Sequence, residues 1–96
     1  MVKYVLSPQA QKSLLQIGKY TFDTHGQQQK KFYLKMLREH LRLAAKKPAS
    51  GQQRSEIKEG YYSVRADRHH IYYRIRNTHI DIIDILHQSM EPKLHL

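Results

Sequence analysis

The sequence predicts an α+β fold: an N-terminal helical hairpin packed on one face of a mainly antiparallel four-stranded sheet, in the order β-α-α-β-β-β. Three observations point to it. Residues 8–46 carry apolar side chains at helical spacing with a glycine at the middle, residues 61–86 carry them at alternating spacing, and a loop-forming stretch separates the halves.

Residues 2–6 are rich in β-formers, and Ser7-Pro8 follows as an N-cap serine with proline at the first helical position, where its missing N–H costs nothing. A short strand should run straight into a helix and join the sheet as an edge strand. At about 100° per residue, Ala10, Leu14, Leu15, Ile17, Gly18, Thr21 and Phe22 share one helix face, which is expected to be core. Gly18 in that face allows another backbone to approach closely. His25-Gly26 should end the helix, since glycine is the usual residue just past a helix end.

A second helical pattern runs over about residues 28–46, with Pro48 marking its end. Lys31, Lys35, Arg38, Arg42 and Lys46 fall within an arc of about 80°, while Phe32, Tyr33, Met36, Leu37, Leu41, Leu43 and Ala44 spread over most of the remainder. So wide an apolar face needs two neighbours, the first helix and the sheet, with a partner protein as a third possibility. Pro48-Ala49-Ser50-Gly51-Gln52-Gln53 reads as a loop by composition.

Three strands should follow. Tyr62, Val64 and Ala66 alternate with Tyr61, Ser63 and Arg65, then Ile71, Tyr73 and Ile75 alternate with Tyr72, Arg74 and Arg76. One sheet face is expected to be oily and the other cationic. Asp67-Arg68 and Asn77-Thr78 are the predicted turns. The last strand, residues 80–86, changes phase at Ile82-Ile83, which calls for a bulge or for a central strand covered on both faces.

Ninety-six residues support one domain, residues 1–96, with one modest core. Apolar residues make up 40% and mean hydropathy is −0.74, so a folded, water-soluble chain is expected rather than a disordered one. No stretch approaches the roughly 18 apolar residues of a membrane span, and the first residues lack the apolar run of a signal peptide. A cytoplasmic location is expected. Cysteine is absent, which excludes disulfides, thiolate metal sites and cysteine nucleophiles. Seventeen Lys and Arg against eight Asp and Glu give +9, a charge suited to a polyanionic partner such as nucleic acid, an acidic protein segment or an acidic membrane surface.

Several motifs resemble those of a known family. The opening Leu6-Ser7-Pro8-Gln9-Ala10 with Leu14, Ile17 and Tyr20, then Tyr61-Tyr62-Ser63-Val64, His70-Ile71-Tyr72-Tyr73-Arg74 and Ile85-Leu86-His87-Gln88-Ser89-Met90-Glu91-Pro92, resemble the start, strands and tail of ParE-type toxins of the RelE/ParE toxin–antitoxin superfamily. Order and spacing agree over nearly the whole chain. Ser13 stands where members usually carry an acidic residue, and Ser89 where they usually carry a basic one. The resemblance implies the toxin of a type II toxin–antitoxin system, neutralised by an acidic ParD-like antitoxin that folds on its surface. ParE toxins poison DNA gyrase, whereas RelE relatives cleave messenger RNA on the ribosome.

Three functions follow as expectations. The first is gyrase inhibition by binding, without catalysis, cofactor or metal. A ribosome-dependent endoribonuclease would need a base, an acid and cations around the phosphate, for which His87, Arg65 and Arg74 are the available groups. No tyrosine follows His87, so the His-Tyr pair of some relatives is missing. The third is a non-toxic basic adaptor that binds nucleic acid. His69 and His70 are adjacent on a strand and point to opposite faces, so they cannot chelate together. For target binding the expected surface is Arg65, Arg68, Arg74 and Arg76 with His87, Met90 and Pro92 of the tail, whose residues 88–96 have too few apolar side chains to make an element of their own. For the antitoxin it is Lys31, Lys35, Arg38 and Arg42 with Met36.

Overall fold

Ser7 makes the first turn of the chain. Its backbone N–H donates to the Ile82 carbonyl at 3.0 Å, its hydroxyl donates to the Ile83 carbonyl at 2.7 Å, and the same hydroxyl accepts from the Ala10 N–H at 3.0 Å. One serine thus caps the first helix and ties it to the last strand. The computed structural model describes residues 3–96. The expected strand residue Val2 lies outside them.

Strand β1 (Tyr4–Leu6) leads into α1 (Pro8–His25), and only Gly26 separates this from α2 (Gln27–Lys46). Gly26 has φ +90°, a conformation that side chains with a Cβ rarely adopt, and its N–H closes α1 on the Phe22 carbonyl at 2.9 Å. After a two-residue strand β2 (Gln52–Gln53), strands β3 (Tyr61–Ala66), β4 (His69–Ile75) and β5 (Ile80–His87) follow as an antiparallel meander. β1 pairs parallel to β5 at one edge, with Tyr4 opposite Ile80 and Leu6 opposite Ile82. Core side chains Leu37, Leu41 and Ala44 of α2 and Leu14 of α1 pack on Ile71, Tyr73, Ile80 and Ile82 of the sheet. No helix among the described residues is long and apolar enough to cross a membrane.

Four expectations need correction. The sheet has five strands in the order β1-β5-β4-β3-β2, because the stretch read as a loop contains a 3-10 turn at Pro48–Ser50 and a two-residue strand β2 (Gln52–Gln53) paired with β3. Leu15 and Phe22 are 77% and 45% exposed, not core. The physical reason is that α2 crosses α1 at Gly18, where a Cβ would stand 3.2 Å from Leu34 and Lys30, so the covered arc of α1 ends before Leu15 and Phe22. The sheet face opposite the helices is not simply cationic and open. Tyr61, Ser63 and Tyr72 on it are buried, and Arg54 lies over them, donating to Ser63 Oγ at 3.2 Å with its guanidinium 5.5 Å from the Tyr72 ring. The tail, expected to form no element, contains a short helix α3 (Pro92–His95) whose N-cap Glu91 accepts from the Lys93 N–H.

The phase change in β5 is a bulge. Tyr72 faces Asp84 and Tyr73 faces Ile82, so Ile83 is the extra residue, and Ile80, Ile82 and Ile85 all reach the core. Asp84 beside the bulge is buried, and its Oδ1 accepts from the Ser13 hydroxyl at 2.5 Å and from the Ile85 N–H at 2.7 Å. This bond joins α1 to β5 across the interior.

Candidate functional site

A groove of about 890 Å³ runs between the helical hairpin and the end of the sheet where β4 begins and β5 finishes. It arises because α1 and α2 both present more apolar surface than the sheet covers. Ile17 and Tyr20 of α1 form one wall, Phe32 and Met36 of α2 the other, while Met90 and His95 of the tail stand at the mouth. Ser13 and Asp84 line it as a satisfied polar pair. Tyr20 and Phe32 are about two-thirds exposed, so large aromatic surface faces solvent here.

The sheet end of the groove holds a linked aromatic cluster. Tyr33 Oη lies 2.6 Å from His69 Nδ1, and the His69 and His87 rings meet edge to face at 5.3 Å between centroids. His87 Nδ1 accepts from the Ser89 N–H at 3.1 Å. Burial, and then the neighbouring His87, lowers the His69 pKa to about 4, so this ring is neutral at pH 7. Burial raises the Tyr33 phenol above its ordinary value, keeping it protonated. At neutral pH Tyr33 and His69 therefore form an uncharged hydrogen-bonded pair set among apolar walls.

A pH dependence follows. Above about pH 6.5 His69 is neutral in both folded and unfolded chains, and its burial costs nothing. As pH falls from there toward 4 the unfolded chain takes up a proton that the folded chain excludes, so stability is lost. After a discount for partial solvent exposure the loss between pH 7 and 4.5 should be about 1–2 kcal/mol. His69→Gln should remove that component. Denaturant midpoints at the two pH values check it, and equal losses in parent and variant would show that another group dominates.

The residues expected to grip a target do not form one patch. Arg68, His87 and Met90 line the groove, and Arg65 stands beside them, donating to Gln88 Oε1 at 3.1 Å and to the Asp67 carbonyl at 2.9 Å. Pro92 opens α3 in the adjoining tail. Arg74 and Arg76 lie toward the other end of β4, about 20–26 Å along the chain from Arg68 at strand spacing. There Arg74 covers the Tyr61 ring and Arg76 pairs with Asp81 at 2.7 Å. The Arg76 guanidinium, and to a lesser degree His79, holds the Asp81 carboxyl below its usual range. The nuclease set is divided in the same way, since His87 is opposite His69 while Arg74 is opposite Asp81.

The expected antitoxin surface also divides. Met36 lies in the groove, whereas Lys31, Lys35, Arg38 and Arg42 are exposed on an arc of α2 centred about 120° away around the helix. Among the described residues no three His, Cys, Asp or Glu gather as a metal ion would require. Sequence reasoning missed Tyr33, His69 and Arg54 as site or cover residues. Tyr33 and His69 are separated by 36 positions, a pairing no local spacing reveals. The spacing of Ile17 with Tyr20, and of Phe32 with Met36, was the available signal for the walls.

Comparison with known proteins gives a consistent set of matches. The family model described as the ParE toxin of the type II toxin–antitoxin system parDE matches residues 4–92. A toxin named ParE1 from Mycobacterium tuberculosis is 37% identical over 95 residues, covering 98% of this chain and 97% of that one. Another of that name from Caulobacter vibrioides is 31% identical over 96 residues, covering 100% and 99%. A solved structure titled as the chromosomal ParDE toxin–antitoxin system from P. aeruginosa superposes with a TM-score of 0.79 over 91% of this chain and 96% of that one. At 15% identity it speaks for the fold alone.

Proposed function

The chain belongs to the ParE toxin family of type II toxin–antitoxin systems, and from that premise we propose that it inhibits DNA gyrase by binding and is neutralised by an acidic ParD-like antitoxin seated in the groove. The observation that carries this reading is the groove itself. Its apolar walls and exposed aromatics suit the apolar face of a partner segment that folds on binding, and the +9 charge of the chain attracts an acidic one. Arg65, Arg68, Met90 and Pro92 at the same end serve as the gyrase-gripping surface. An antitoxin in the groove covers part of that surface, so neutralisation is competition for shared residues. The protein acts where gyrase is, in the cytoplasm.

Messenger RNA cleavage is the second reading, favoured by one observation, the Tyr33–His69–His87 cluster beside Arg68. In it His87, whose Nδ1 accepts from the Ser89 N–H, would be the group closest to an acid-base role. The two readings part on His87→Gln. If binding suffices, the variant keeps its growth inhibition within a few-fold, because volume is largely retained and no proton has to move. A nuclease loses about 10²–10⁴ in rate when a general acid or base is removed. Inducing parent and variant in a bacterium, with cleaved gyrase–DNA complexes and messenger RNA cuts mapped side by side, makes the distinction. Cuts in messenger RNA that vanish with His87→Gln would replace the gyrase reading.

A further inference from the structure

Helix α2 concentrates the charge of the molecule on a surface that the groove does not use. Residues 27–46 contain six Lys and Arg against the single Glu39, a surplus of five out of the +9 of the whole chain. Five of these cations, Lys31, Lys35, Arg38, Arg42 and Lys46, follow one another at intervals of three or four residues. Helical geometry puts successive members about 4.5–6 Å apart along the axis and the whole row at about 22 Å. All five are exposed, and Arg42 is paired with Glu39 at the solvent surface. The arc they occupy holds no apolar side chain. Met36, Phe32 and Tyr33 leave the helix on the groove side.

The absence of apolar residues from the arc selects the kind of partner. Protein partners bind through aromatic or aliphatic anchors seated in desolvated pockets, and exposed Lys or Arg pairs with carboxylates contribute little by themselves. A nucleic-acid duplex needs no anchor. It carries about one negative charge per 1.7 Å of axis, and each phosphate neutralised by a cation releases condensed counterions. A row of five cations about 22 Å long can meet several phosphates of one backbone. Phosphate contacts of this kind position a protein without reading sequence.

We infer that the exposed cationic row of α2, Lys31 to Lys46, is a sequence-independent binding site for the phosphate backbone of duplex DNA, separate from the groove. Because the groove lies on another side of α2, a segment docked there leaves the row accessible. The site goes beyond gyrase inhibition and antitoxin binding and does not depend on either.

The test uses the full chain with two fluorescently labelled duplexes of about 20 base pairs and unrelated sequence, followed by anisotropy from 50 to 300 mM NaCl. With four or five phosphates neutralised, log affinity should fall against log salt with a slope of about −3.6 to −4.5, equal for both sequences. Between 50 and 200 mM this is a loss of about 150- to 500-fold. Lys35→Gln and Arg38→Gln should each make the slope shallower by about 0.9, and the combined Lys31, Lys35, Arg38 and Arg42→Gln variant should bind DNA barely at all at 100 mM. Circular dichroism confirms that the helix is kept. Arg74→Gln and Arg76→Gln on the sheet should leave the slope unchanged. Three results would overturn the assignment: slopes unaltered by the row variants, slopes altered by the sheet variants instead, or displacement of DNA by polyglutamate at equal charge concentration. The last would assign the row to an acidic protein.

Discussion

Gly51→Ala should destabilise the protein by about 2–4 kcal/mol, a loss of roughly 10–20 °C in Tm for a chain of this size. A Cβ at this position would lie 2.1 Å from Tyr73 Oη and 3.0 Å from Cζ. Tyr73 has nowhere to go. Its side chain is fully buried, the ring stacks on Tyr62 at 5.7 Å between centroids, and the hydroxyl donates to the Pro48 carbonyl at 2.6 Å. Either the phenol leaves its acceptor and becomes an unpaired buried hydroxyl, or the turn from Pro48 to Gly51 moves away and strains β2 where it pairs with β3. The backbone at Gly51 has φ −70° and ψ 166°, which alanine adopts freely, so the cost is steric rather than conformational. Equilibrium denaturation measures it, and Tyr73→Phe in the same background should show non-additive coupling. A change under about 0.5 kcal/mol would mean that the turn yields cheaply.

Met36→Asp should weaken binding of a ParD-type antitoxin by about 100-fold or more while the toxin stays folded. Met36 is partly exposed in the free protein and lines the apolar wall beside Phe32 and Tyr33. A carboxylate there remains hydrated in the free toxin, but a partner segment in the groove would strip that water without supplying a counter-charge, and a buried unpaired charge costs several kcal/mol. Phe32→Ala should lose less, about 10- to 30-fold, through lost aromatic area alone. Lys35→Gln and Arg38→Gln should stay within about threefold at physiological salt, as exposed charge pairs generally do. Calorimetric titration of the four variants ranks them. If the lysine and arginine variants fall further than Met36→Asp, the antitoxin docks on the cationic row and the groove assignment is wrong.

Much of this architecture is decided by local physics and can be read from the chain. Ser7-Pro8 can only start a helix well, Gly26 and Pro48 limit the two helices, and the period-two pattern of residues 61–75 sets strands with Ile71 and Tyr73 turned to the core. The double isoleucine at 82–83 announces the bulge because a strict alternation cannot bury Ile80, Ile82 and Ile85 together. The motifs Ser7-Pro8, His70-Ile71-Tyr72-Tyr73-Arg74 and Leu86-His87 also carry the family, which the matches over residues 4–92 bear out. Tertiary structure decided which parts of the broad apolar faces are covered. Periodicity gives the angle of a side chain around its own helix but not where a neighbouring helix crosses, so Leu15 and Phe22 are left outside by the approach at Gly18, and Phe32 and Met36 become a groove wall. It also decided the polar pairs. Tyr33 with His69, Ser13 with Asp84 and Tyr73 with Pro48 lie 36, 71 and 25 positions apart, and each bond exists only because the helices and sheet have closed over one core. The fold likewise sets Arg68 and His87 in the groove and leaves Arg74 and Arg76 at the other end of β4, on Tyr61 and Asp81.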